Sequence, residues 1–129
     1  MLIVYDTLTG NVERFVSKLI EINCIKIKKN MSIKEPFILV TYTTGFGQIP
    51  ESTVDFLKHN HKWLKGVASS GNLNWGKYFG NAAKLISDKF NVPLILKFEL
   101  SGTEQDIDKF IQEVNRIEKH VNTKMDTIK

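Results

Sequence analysis

The 129-residue chain predicts a doubly wound α/β domain built on one five-stranded parallel sheet, in the order 2-1-3-4-5. Three observations lead there. Short hydrophobic runs alternate with stretches of helical apolar period. Lysines fall only inside the second and fifth runs, as suits strands at sheet edges, while the first, third and fourth carry no charge before Lys65 and suit its centre. Three loops rich in Thr, Ser and Gly directly follow those central runs, and in an open α/β sheet such loops meet in one ligand-binding crevice.

Taken in order, Leu2-Ile3-Val4-Tyr5 is the first strand, followed by the loop Thr7-Leu8-Thr9-Gly10-Asn11. Val12, Phe15, Val16, Leu19 and Ile20 then form the stripe of an amphipathic helix. Ile25-Lys26-Ile27-Lys28 alternates as a short strand, and the turn over residues 30–36 lacks a helical pattern. Phe37-Ile38-Leu39-Val40-Thr41-Tyr42 is the third strand, followed by Thr43-Thr44-Gly45-Phe46-Gly47-Gln48. Pro50 suits the first position of a helix reaching about His59, with Val54 and Leu57 inward. Val67-Ala68 marks the fourth strand, before Ser69-Ser70-Gly71-Asn72-Leu73-Asn74-Trp75-Gly76. Ala82, Leu85, Ile86 and Phe90 mark a helix, and Pro93 to Phe98 a fifth strand. Thr103 with Asp106 makes a capping box, opening a helix with the stripe Ile107, Phe110, Ile111, Val114 and Ile117. Residues 1–121 are expected to form a single domain, with residues 122–129 a loose tail lacking apolar period.

Composition bounds the chemistry. The single Cys24 leaves no internal disulfide, zinc cluster or Cys-x-x-Cys pair, so redox work requires a bound cofactor. No signal peptide or membrane span is read, which makes the cytoplasm the expected location. The net charge of +4 gathers in Lys26, Lys28, Lys29 and Lys34, and in Lys58, Lys62, Lys65 and Lys77. Such clusters are either a solvated face or a docking surface for an acidic partner. Nucleic acid is not an expected partner, because no recognition motif or interleaved aromatic accompanies the lysines. His59, His61 and His120 show no metal spacing, and Ser101 lacks the context of a hydrolase nucleophile.

Each loop has its own chemistry. The first opens a helix whose unpaired N–H groups attract phosphate, with Thr7, Thr9 and Asn11 as side-chain donors; it lacks the Gly-Lys-Ser/Thr ending of nucleotide-hydrolysing loops. Read alone it is an ordinary helix cap. Gly45-Phe46-Gly47 is not a dinucleotide fingerprint, since Pro50 stands where a third glycine belongs, and alone it reads as a glycine turn with a buried Phe. Trp75 offers an indole for stacking on a flat ring, or else a half-buried loop anchor. Convergence on one crevice favours a phosphorylated, flat aromatic cofactor.

Thr-Gly-Asn-Val at 9–12, Thr-Tyr-Thr-Thr-Gly-Phe-Gly-Gln at 41–48, Ser-Gly-Asn at 70–72, Asn-Trp-Gly at 74–76 and Lys-Phe-Glu-Leu-Ser-Gly-Thr at 97–103 resemble the NrdI family. These are small flavodoxin-like flavoproteins that help activate class Ib ribonucleotide reductase. The resemblance covers the chain to about Val121, while Met31-Ser32-Ile33-Lys34 matches no family motif. It implies FMN as cofactor, the dimetal small subunit of the reductase as partner, and an electron donor the sequence does not identify. It implies conversion of O2 to superoxide, which oxidises a dimanganese site and generates a tyrosyl radical on the partner. By resemblance Thr7, Leu8, Thr9, Gly10, Asn11 and Val12 hold the phosphate end, and Gly45, Phe46, Gly47 and Gln48 line the flavin N5. Trp75 lies against the ring, and Thr43, Thr44, Ser70, Gly71, Asn72 and Gly76 complete the cofactor set.

The residues add one independent argument. Acidic residues near the ring of electron-transfer flavodoxins repel its reduced anionic form, and one charge at close range near a surface contributes up to ~4 kcal/mol. Here only Asp6 and Glu51 flank the three loops, which suits a flavin that meets O2 within a complex. The competing readings are an electron-transfer flavodoxin serving another redox enzyme and a cofactor-free interaction module. Lys62, Lys65 and Lys77 are expected beside the second and third loops, placed to steer an acidic partner.

Overall fold

The computed structural model describes residues 1–128, with side chains to residue 124. Five strands, β1 (Leu2–Tyr5), β2 (Cys24–Lys26), β3 (Phe37–Tyr42), β4 (Leu64–Gly71) and β5 (Leu94–Glu99), form one sheet in the order β2-β1-β3-β4-β5, every neighbouring pair parallel. This is the order predicted from where the lysines fall. The helices are α1 (Asn11–Val16), α2 (Glu51–Asn60), α3 (Asn81–Phe90) and α4 (Glu104–Ile128).

The alternation of side chains across a strand explains the two cores. Ile3 of β1 and Ile38 and Val40 of β3 point to one face, where Val12, Phe15 and Val16 of α1 meet Ile107, Phe110, Val114 and Ile117 of α4. Leu2, Val4, Phe37 and Leu39 point to the other, against Phe56 and Leu57 of α2 and Ala83 and Ile86 of α3. Both faces of the central strands are therefore buried, which is why their sequences are continuously apolar rather than alternating.

The departures have local causes. Helix α1 stops at Val16, so Leu19 still reaches the core from the following turn but Ile20, expected on the same stripe, points to solvent. In α2 it is Thr53, Phe56 and Leu57 that are buried, with Val54 at the margin. In α3 Ala83 takes the inward place expected of Leu85, which is exposed. The capping box forms as expected: the Asp106 N–H donates to Thr103 Oγ1 at 3.1 Å, and the Thr103 N–H to Asp106 Oδ2 at 2.8 Å. Helix α4 passes the expected end at Val121 and reaches Ile128, because residues 122–128 contain no glycine or proline to break it. Losing an apolar stripe removes packing and does not end a helix; Lys129 lies outside the described residues.

The crossover from β2 to β3 has no helix and is pinned instead by one buried side chain. Asn60, at the end of α2, accepts from the Ile33 N–H at 2.7 Å and donates to the carbonyls of Met31 at 3.0 Å and Phe56 at 2.9 Å. Ile33 can then insert into the α2 face of the core. Asn60→Ala should cost about 1–3 kcal/mol, since buried backbone groups of the crossover would lose their partner. Urea unfolding checks this, and an unchanged midpoint would show that the crossover holds without Asn60.

Candidate functional site

The carboxyl ends of β1, β3 and β4 open onto one cavity of about 350 Å³, within the ~300–1,000 Å³ of small-ligand sites. Thr7, Leu8, Thr9, Asn11 and Val12 line it from the first loop. Tyr42, Thr43, Thr44 and Gly45 line it from the second, and Ser70, Gly71, Asn72 and Trp75 from the third, with Leu100 from the end of β5. The crevice expected from three separate loops is thus a single space. Of the other expected residues, Gly10, Phe46, Gly47, Gln48 and Gly76 are not in its wall.

The second loop is a closed turn. Thr44 and Gln48 exchange both backbone hydrogen bonds, at 2.9 and 2.7 Å, and the chain between them turns through positive φ at Gly45 and Gly47. Phe46 at its tip is 82% exposed, so the expectation of a buried Phe fails: a five-residue turn that closes on its own backbone leaves its apex no core to enter. Its ring meets Tyr78 edge-on, with centroids 6.4 Å apart, and the Gly47 carbonyl accepts from Asn81 Nδ2 at 2.7 Å.

The third loop begins later than expected, because β4 runs on to Gly71. Ser69 is fully buried within the strand, accepting from the Ala83 N–H and donating to the Gly80 carbonyl. With Thr43, whose Oγ1 accepts from the Ala82 N–H at 3.2 Å, it satisfies the first free N–H groups of α3. Gly71 is required by a close approach, since a Cβ there would stand 2.6 Å from the Gly80 backbone nitrogen. Beyond it, Asn72 Oδ1 accepts from the Asn74 N–H at 2.9 Å, starting the 3-10 segment Leu73–Tyr78 that presents Trp75, 41% exposed, at the cavity rim.

Two lining residues were not expected. Tyr42 is the last residue of the third hydrophobic run, and its place at the strand's carboxyl end was the available signal. Burial and then the nearby Asp6 charge push its phenol up, partly offset by the Ser52 hydroxyl, so it keeps its proton at neutral pH and can donate a hydrogen bond. Leu100 takes positive φ (52°), uncommon for a side chain of this size. It is held there at both ends, its N–H donating to the Gly71 carbonyl at 2.9 Å and its carbonyl accepting from Ser70 Oγ at 2.6 Å. Nothing in local sequence signals that conformation.

None of the lining residues carries a formal charge. Asp6 is turned away from the cavity, its Oδ2 accepting from Ser52 Oγ and from Thr53 Oγ1 at 2.7 Å, and this ties β1 to the start of α2. Thr7 Oγ1 is buried with no partner among the described residues, a position that a bound polar group would satisfy. With Thr9 and the Asn11 amide beside it, the first-loop end of the cavity fits a phosphate, and the Trp75 end fits a flat ring. Burial raises the Cys24 thiol, which sits in β2 away from the cavity, so it is not a reactive thiolate.

The lysine expectation needs correction. Lys62 and Lys65 sit at the amino end of β4, and the six residues from Lys65 to Gly71 span about 20 Å at ~3.3 Å each. The strand runs through Ser69, Ser70 and Gly71 of the expected loop, so these lysines flank the opposite end of the sheet. Lys77 alone of the three adjoins the third loop, its Nζ 5.2 Å from the centre of the Tyr78 ring.

Comparison with known proteins agrees with this geometry. Residues 3–112 match the family described as NrdI flavodoxin-like. The chain is 50% identical over 125 residues to the SPbeta prophage-derived protein NrdI of Bacillus subtilis, covering 95% of this chain and 96% of that one. It is 48% identical over 127 residues to protein NrdI of Bacillus licheniformis, covering 98% and 97%. Among solved structures, a short-chain flavodoxin associated with a bacterial microcompartment superposes with a TM-score of 0.70 at 21% identity, covering 92% of this chain and 96% of its own. A Streptococcus pneumoniae flavodoxin gives 0.68 at 22%, covering 92% and 97%. Among the described residues no helix is long and apolar enough to cross a membrane. The chain belongs to the NrdI flavodoxin-like family, FMN-binding proteins that work with ribonucleotide reductase.

Proposed function

We propose that this protein holds one FMN in the three-loop cavity and, in its reduced form, converts O2 to superoxide for assembly of the dimanganese-tyrosyl radical cofactor in the small subunit of class Ib ribonucleotide reductase, in the cytoplasm. The observation that carries this reading is an uncharged cavity, lined by hydroxyls and an amide at one end and an indole at the other, in a member of the NrdI family. When bound, FMN supplies a ring that accepts electrons from a donor and passes one at a time to O2.

The chain's own residues bind and orient. Thr7, Thr9 and Asn11 take the phosphate, the unpartnered Thr7 hydroxyl gaining a bond it otherwise lacks. Gly71, Asn72 and Trp75 line the cavity where they would bound the ring on one side. The turn presents Thr44 and Gly45 on the other, and rotation within Gly45-Phe46-Gly47 would bring a carbonyl to N5. With no carboxylate in its wall, the cavity would repel a bound reduced flavin less than an acidic flavodoxin does, which would favour passing electrons to O2 over low-potential transfer to another enzyme. Leu8, Phe46, Leu73, Trp75 and Leu100 are exposed around the loops, an apolar rim suited to excluding water when the partner docks.

Mixing the reduced protein with a manganese-loaded small subunit and O2 should give the tyrosyl radical, read by electron paramagnetic resonance. Omitting O2, or starting from oxidised protein, should reduce the signal to background. Equal radical yield under either omission would overturn the mechanism.

A further inference from the structure

A phosphate held only by neutral donors lacks a countercharge, and this site has none in its wall. Helix α1 has only six residues, and the first loop contains no lysine. A cation nevertheless stands directly behind the loop. Arg14 folds back along α1 so that a Cβ placed on Gly10 would lie 2.9 Å from its Nη1. Its Nη2 donates to Asn11 Oδ1 at 2.6 Å and its Nε to Ser101 Oγ at 3.0 Å, while Ser101 Oγ donates to Asn11 Oδ1 at 3.0 Å. Among the described residues no carboxylate pairs with Arg14.

The arrangement decides which way the Asn11 amide faces. A guanidinium has donors and no acceptor, so the oxygen of Asn11 must turn toward Arg14. Its Nδ2 then turns toward Thr9 Oγ1, 3.5 Å away, on the cavity side. Lys18 Nζ reaches the carbonyls of Ser101 and Gly102, both at 3.4 Å, and steadies the segment from which Ser101 acts.

We propose that Arg14 is the residue that selects a phosphorylated flavin over an unphosphorylated one, by fixing Asn11 with its amide donors toward the cavity and by supplying the countercharge behind Gly10. It acts through Asn11 and through its field, and is therefore a positioning residue. The inference rests on the flavin reading above and deepens it.

The test compares wild-type apoprotein with Arg14→Met and Arg14→Lys, each titrated with FMN and with riboflavin and followed by flavin fluorescence. Arg14→Met should weaken FMN binding by about ten- to a hundredfold, the range of one or two charge-assisted interactions, and riboflavin binding by less than about twofold. Arg14→Lys should recover part of the preference, because an ammonium keeps the charge but cannot fork between Asn11 and Ser101. Equal losses for both flavins would mean that Arg14 only supports the fold, and undiminished FMN binding in Arg14→Met would mean that it has no role; either overturns the proposal. Wild-type protein that bound neither flavin would overturn the flavin reading itself, and this inference with it.

Discussion

Replacing Phe15 with alanine is expected to lower the free energy of unfolding by about 3–5 kcal/mol, the usual cost of emptying a large aromatic site in a core. Phe15 is fully buried, stacked on Phe98 with centroids 4.0 Å apart and meeting Phe110 edge-on at 5.3 Å. Neighbours on two other elements, β5 and α4, limit how far the cavity can collapse. A domain of this size is stable by roughly 5–15 kcal/mol, so the change removes a large part of the total. The effect should extend to the site. The buried residues of helix α1 are Val12, Phe15 and Val16, and its first turn carries Asn11 and Arg14. Urea unfolding measures the first effect and FMN titration the second. A stability loss below about 1 kcal/mol would show that the aromatic cluster repacks around the gap.

How much could be read from sequence depends on whether local chemistry or chain closure decides the outcome. Strand order was legible because charge sorts most of the strand residues between edge and centre: Lys26 and Lys97 lie on the edge strands β2 and β5, while the central β4 carries Lys65 only near its amino end. The capping box at Thr103 and Asp106 was legible because both partners are three residues apart. Twelve of the expected site residues line the cavity, because the carboxyl end of a parallel strand is where its loop must emerge. What escaped depends on long-range partners. The end of β4 is set by pairing with β3 and β5, so Ser69 and Ser70 were read as loop. Leu100 is fixed by atoms of Ser70 and Gly71, and Asn60 holds a crossover 27 residues earlier in the chain. Arg14 is exposed on α1, and its place at the site depends on Ser101, 87 positions on, which the fold brings beside it. The Lys62 and Lys65 misplacement follows from the same error in the length of β4.

Gly47→Val is expected to weaken FMN binding by on the order of a hundred- to a thousandfold while leaving the melting temperature nearly unchanged. Gly47 has φ of +84°, a region costing a residue with a side chain roughly 1–2 kcal/mol, and more when that side chain is branched at Cβ. A Cβ there would also stand 2.7 Å from Tyr78 Cδ1 and 3.2 Å from Asn81 Cβ, and relieving such overlap adds about 1–3 kcal/mol. The turn can escape both penalties by opening, losing the Thr44–Gln48 bridge and the bond from Asn81 to the Gly47 carbonyl. Both cores lie elsewhere, so this is local unfolding and the global transition should hardly move. Binding is different. Thr44 and Gly45 form part of the cavity wall only while the turn is closed, so FMN must close it again against the same energy. Phe46→Ala is the control, since an exposed apex side chain can be removed without opening the turn. Paired melting and titration curves separate the two effects: a Gly47→Val variant with wild-type FMN affinity would mean that the second loop takes no part in holding the cofactor.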